Sequence, residues 1–151
     1  MERRRRFLYT TYLIAGLIVF AVLVALTMAQ PPAPSHILPA VLFCALIVFT
    51  DTFGVRMPTG VVSLLPMMTV AAFLVVGLVP AGWAAFVGTL ASGWVRARWA
   101  EALGFPVPRS RLHILSLIGI NLTMLTGSIL AGGSIYQALG GAVPLESAPV
   151  S

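Results

Sequence analysis

Asp51 is the one acid set inside a long apolar run, Ile37–Phe53. An ionisable group in such a place is a candidate for proton transfer, ligand binding or ion pairing. Arg56 follows within the Gly- and Pro-punctuated segment Gly54–Gly60, so a local ion pair at the end of the run is favoured over a proton or ligand site. Asn121 and Thr123 stand two residues apart in another apolar run. Their amide and hydroxyl suit hydrogen bonding to a ligand or to a neighbouring helix, and the second use is favoured. Asp51, Asn121 and Thr123 are therefore the candidate ligand-binding residues. Cys44 is the single cysteine, so neither an internal disulfide nor a cysteine metal set is open to it. His36 and His113 lie at the ends of apolar runs with no second ligand at metal spacing, and no metal site is expected. Three of the four carboxylates, Glu2, Glu101 and Glu146, lie outside the apolar runs. With no phosphate-cradling loop and no serine–histidine–acid set at one depth, no catalytic residue, no cofactor and no enzymatic activity are expected.

The elements that must position these residues are apolar helices. The chain has 151 residues, of which 59% are hydrophobic and 9% charged, with a mean hydropathy of +1.01. A soluble domain carries about 25% charged residues, and a chain with so few could not cover its core in water. The composition excludes a soluble enzyme, a disordered chain and a fibrous repeat. It predicts an all-α fold, a polytopic transmembrane bundle of about five spans in a single domain. A span needs about 20 mostly apolar residues. The predicted spans are 7–29, 37–53, 61–79, 81–95 and 112–139, with a flexible tail over 140–151. Gln30–Ser35 is a proline-rich stop after the first span, and Gly77–Gly82 is a tight hairpin between the third and fourth. Pro66, inside the third, is a possible kink. The last span has 28 residues, roughly 42 Å of helix. It is either one tilted helix or one broken at Gly132-Gly133.

All nine basic residues are arginines: Arg3, Arg4, Arg5, Arg6, Arg56, Arg96, Arg98, Arg109 and Arg111. With five spans they fall on one side of the membrane, which predicts a multi-pass inner-membrane protein with a cytoplasmic N-terminus and an outward C-terminus. A net charge of +5 also raises nucleic-acid binding, but no basic groove interleaved with aromatics is present, and no nucleic-acid partner is expected. Trp94 and Trp99, flanking Arg96 and Arg98, read as interfacial anchors, as do Tyr9, Tyr12 and Trp83. The N-terminal segment resembles a signal peptide, with Arg4–Leu8 similar to part of a twin-arginine signal. Its 23-residue apolar run, Phe7–Ala29, is long for that, and a retained anchor is favoured.

Small residues recur at four-residue spacing: Ala81, Ala85, Thr89 and Gly93, with Ala84, Gly88 and Ser92 beside them, then Ala21, Ala25 and Ala29, and Thr123, Gly127 and Ala131. Such rows let helix backbones approach closely. Packing within one bundle is favoured over a dedicated dimerisation face. The expected partners are the lipid bilayer and a membrane protein or a second copy.

The stretch Phe53–Leu64, with the helix after it that closes in Val76–Gly82, resembles the N-terminal membrane module of bacterial signalling proteins with GGDEF, HD-GYP or histidine-kinase output domains. Asn121 and Gly140-Gly141 stand where those modules have an Asn and a closing Gly-Gly, so the resemblance covers about Asp51 to Gly141. It implies a sensor or anchoring module, here without an output domain, that passes a helix rearrangement to a partner. It supplies no ligand and no catalytic residue. The alternatives are a small substrate-binding component of a transporter, with a polar pocket on Asn121, Thr123 and Thr69, or an accessory subunit of a larger membrane complex.

Overall fold

The computed structural model describes residues 2–53, 55–57, 60–62, 64–99, 101–102 and 111–144. Five helices make up the fold: α1 (Glu2–Ala29), α2 (Ile37–Thr52), α3 (Leu65–Val76), α4 (Leu78–Trp99) and α5 (Arg111–Ala138). A 3-10 turn, Pro34–His36, precedes α2. Two short antiparallel strands, β1 (Val55–Met57) and β2 (Gly60–Val62), separate α2 from α3, with Arg56 opposite Val61. This segment was expected as a loop and the start of a span. The β-branched Val55, Val61 and Val62 favour the extended backbone instead.

Among the described residues, four helical stretches are long and apolar enough to cross a membrane: Phe7–Ala29, Pro34–Thr52, Leu78–Trp99 and Leu117–Ala138. The third expected span, 61–79, is corrected to the 12-residue α3. At 1.5 Å per residue it is about 18 Å long, against about 30 Å of hydrocarbon. Pro66 lies in its first turn and kinks nothing, because the backbone N–H that proline lacks has no helical acceptor there. Gly77, with φ +86°, joins α3 to α4 in one residue, a backbone state that a side chain would strain. α4 starts at Leu78, earlier than expected, and takes Pro80 into its first turn. It ends at Trp99, four residues past the expected limit of 95. α5 runs unbroken through Gly132-Gly133. It closes at Gly140, φ +87°, with the Gly141 N–H donating to the Tyr136 carbonyl at 2.9 Å.

Contacts fix the helix directions. Trp83, near the start of α4, meets Thr27, near the end of α1, and Phe86 meets Phe20, so α1 and α4 are antiparallel. A side chain at Gly82 would meet Leu130 and one at Gly93 would meet Ile118, so α5 also opposes α4. α2 runs parallel to α4, with Ile47 against Gly88 and Asp51 against Ser92 and Arg96. α3 lies beside the far half of α5, where Phe73 packs edge-on against Tyr136. Successive helices thus alternate in direction, as a polytopic bundle requires.

α4 is the hub. Ala81 and Ala85 on it are fully buried, together with Leu23 of α1, Ile47 of α2 and Ala72 of α3. Between apolar helices in lipid, this contact is favoured by close van der Waals packing rather than by removal of surface from water. The row Ala84, Gly88 and Ser92 is buried, with Gly88 and Ser92 against α2, while Ala81, Ala85 and Thr89 are buried and Gly93 abuts α5. The row Ala21, Ala25 and Ala29 faces outward on α1, and Ala131 is exposed. In its place, α1 approaches α5 through Gly16, Gly119 and Gly127, set against Leu122, Tyr12 and Val19.

Trp83 is a bundle residue as well as an aromatic near a helix end. Its Nε1–H donates to Thr27 Oγ1 at 2.8 Å, and that hydroxyl donates to the Leu23 carbonyl at 2.7 Å. The ring stands edge-on to both Phe20 and Phe86. Trp83→Phe is expected to destabilise the α1–α4 contact by about 1 kcal/mol. Thr27→Val on that background should add little more, a non-additivity that a double-mutant cycle in detergent unfolding would read.

Candidate functional site

The strongest polar constellation within the described residues is at the shared end of α2 and α4. Asp51 comes one residue before the end of α2, and Ser92 and Arg96 are one turn apart on α4. Because the two helices are parallel and close at Gly88, their last turns remain together and bring these three residues into one cluster. The Ser92 hydroxyl donates to Asp51 Oδ2 at 2.5 Å. Ser92 Oγ also lies 3.1 Å from the Thr89 carbonyl. The Arg96 guanidinium pairs with Asp51 Oδ1 and donates to the Asp51 backbone carbonyl as well. One arginine thus covers both a side-chain charge and a part-buried carbonyl of the last turn of α2, where helix carbonyls lack intrahelical partners.

Asp51 pairs with Arg96, 45 residues further along the chain, as well as with Ser92; the expected local pairing with Arg56 lies outside the described residues. Of Arg56 only the backbone is described. The burial is unequal, with the Asp51 side chain 9% exposed and that of Arg96 35% exposed. The carboxylate is enclosed, while the guanidinium reaches from inside the bundle toward its edge, as a snorkelling arginine does. Such a cluster can clamp two helix ends together.

The other expected residues are dispersed. Thr123 lies on the α1 side of α5, with its hydroxyl about 4.0 Å from where a Cβ on Gly16 would stand. Asn121 is half-buried on α5. Neither lines the cleft between α3 and α5 that contains Thr69, so the three polar residues do not form one pocket there. Trp94, Trp99 and Arg98 are exposed on the last turns of α4. Arg109 lies outside the described residues, as does the tail from 145, and the side chains of Arg3, Arg4, Arg5, Arg6, Arg111 and His113 are likewise outside the description. Cys44 and His36 line a small apolar cavity of about 240 Å³ between the first turns of α2 and α4. Among the described residues, no three of His, Cys, Asp and Glu gather as a metal set would.

Ser92 reads in the sequence only as a small packing residue, and its hydrogen bond to Asp51 and the cross-helix role of Arg96 are not legible there. Their one signal is spacing: Ser92 and Arg96 are four apart, so they share a face of α4. Nothing in spacing says that α2 covers that face. No protein-family profile, no curated protein and no solved structure matches this chain.

Proposed function

We propose that the chain is a non-enzymatic integral membrane module of a bacterial signalling protein, one that anchors or senses and passes a helix rearrangement to a partner or an output domain. The observation that carries this reading is the Asp51–Ser92–Arg96 cluster. The polar contact falls where α2 and α4 leave the bundle, next to the segments that lead to other parts of the protein. A charged clamp at two helix ends has discrete made and broken arrangements, which a coupling element needs. The resemblance of Phe53–Leu64 to membrane modules of signalling proteins supports the same reading. In this proposal the protein crosses the inner membrane several times with its arginine-rich N-terminus in the cytoplasm.

Spin labels in place of Phe53 and Trp99, read in liposomes, test the relay. Two arrangements of the helix ends are expected, with Arg96→Met shifting their ratio. A single arrangement insensitive to Arg96, or solute uptake by the same liposomes, overturns the proposal. Paired reporters fused after Ser151 test the orientation: α1 and α5 run in the same direction, so activity only of the outside reporter is expected.

A further inference from the structure

We propose that the segment 140–144, which follows α5, is a strap that holds α3 in the bundle, and that its release lets α3 pivot away from α5 about Gly77; the proposal rests on the membrane reading above and not on the signalling role. α3 needs such a hold. Its inward face, with Leu65, Ala72, Phe73 and Val76, is buried, while Met67, Val70 and Val75 on its other side are exposed and apolar too. In water the buried face would keep the helix in place. Among lipid tails, apolar surface gains little by turning inward, so close packing and tethers are what hold so short a helix.

The strap supplies packing at the Gly77 end of α3. The positive φ of Gly140 reverses the chain after α5, and the Gly141 N–H donates to the Tyr136 carbonyl at 2.9 Å. Gly141 then lies on the Tyr136 ring, so close that a Cβ there would collide with three ring carbons. The same ring stands edge-on to Phe73 of α3, with centroids 5.8 Å apart. Tyr136 therefore touches the strap and α3 at once. Val143 packs against the buried cluster that includes Phe73, Val76 and Leu78. Pro144 Cδ lies 3.9 Å from where a Cβ on Gly77 would stand. The chain that leaves α5 thus returns to the turn between α3 and α4.

The hold is slight enough to let go. Gly140 and Ala142 are exposed, and Val143 and Pro144 are only half-buried. Segments with so little buried surface open at low free energy. Gly77 is the pivot, the one residue between α3 and α4. As a glycine it can absorb the change in backbone angles that a swing needs. The Asp51–Arg96 pair lies at the other end of α4, so the strap works at the opposite end of that helix.

Distances between paired spin labels, read by pulsed electron resonance on the full chain in liposomes, test this in a Cys44→Ala background. One pair replaces Met67 on α3 and Ile135 on α5, both exposed, with Met67 at the end of α3 away from the pivot. A control pair replaces Leu17 on α1 and Val87 on α4, also exposed. A single short distance is expected for the first pair in the native strap. Val143→Ser together with Pro144→Ser, which strips the strap of its apolar contacts, should move about a third or more of the molecules to a distance longer by about 5 Å. The control pair should not change. Tyr136→Ala should act in the same way, whereas Tyr136→Phe, which keeps the ring, should retain the native distance. An unshifted first pair in the strap variant, or Tyr136→Ala behaving as Tyr136→Phe, overturns the strap. A shift of both pairs together also overturns it, because the segment then serves the whole bundle and not α3. A label at Leu17 that meets a water-soluble nickel complex more readily than oxygen overturns the membrane reading instead.

Discussion

Arg96→Met is expected to destabilise the bundle by about 2–3 kcal/mol, clearly more than Asp51→Asn at about 1 kcal/mol. The asymmetry comes from burial. Removing the arginine leaves a carboxylate that is 9% exposed with only the Ser92 hydroxyl from the clamp. Removing the acid leaves a guanidinium that is already 35% exposed and can extend further toward water. The partial exposure of Arg96 is why the larger figure stays below the 3–5 kcal/mol of a fully enclosed pair. The double variant, with no charge to strand, should recover most of the loss. Unfolding in mixed micelles over a range of SDS, followed by tryptophan fluorescence, gives all four corners of the cycle. Equal losses from the two single variants would show that the carboxylate is solvated rather than clamped.

Gly88→Leu is expected to cost about 3 kcal/mol or to prevent accumulation of the protein. Gly88 is the point of closest approach between α2 and α4. A Cβ there would stand 2.6 Å from Ile47 Cγ2 and 3.4 Å from the Cys44 carbonyl oxygen. The isoleucine can be trimmed, but the carbonyl belongs to the backbone of α2. A larger side chain must therefore push the helices apart, and the Asp51–Arg96 pair further along the same interface would open with them. Gly88→Ala should be milder, and Ile47→Ala on that background should restore part of the loss by removing the closest atom. Gly132→Ala is the counterpart on α5: with nothing in reach of its methyl it should stabilise the protein by about 0.5–1 kcal/mol. Thermal unfolding in detergent would rank the three alanine variants.

The sequence by itself determined the class of the protein. So low a charge content cannot cover a core in water, and uncharged runs such as Phe7–Ala29 have no fold open to them but a helix whose solvent is apolar. The helices, the proline-rich stop at Gln30–Ser35 and the small-residue rows of α4 were legible because each is a local pattern of period or punctuation. That α1, α2, α4 and α5 are long and apolar enough to cross a membrane follows from length and composition alone.

The tertiary structure decided what depends on which faces meet. Lipid-embedded helices are apolar on every side, so hydrophobic periodicity does not say which face turns inward. That is why Ala21, Ala25 and Ala29 could be read as a packing row although they face outward, while the contact of α1 with α5 runs through Gly16 and Gly119. It is also why the pairing of Asp51 with Arg96 could not be read along the chain: the two are near only because α2 and α4 are parallel and in register at Gly88. The third crossing shortened for a similar reason. An apolar run from 61 to 79 reads as one span, yet its β-branched start pairs as a strand, Pro66 can only open a helix, and Gly77 ends it. The short α3 beside the long α5 is what creates the cleft at Gly132, a feature that no residue pattern along the chain contains.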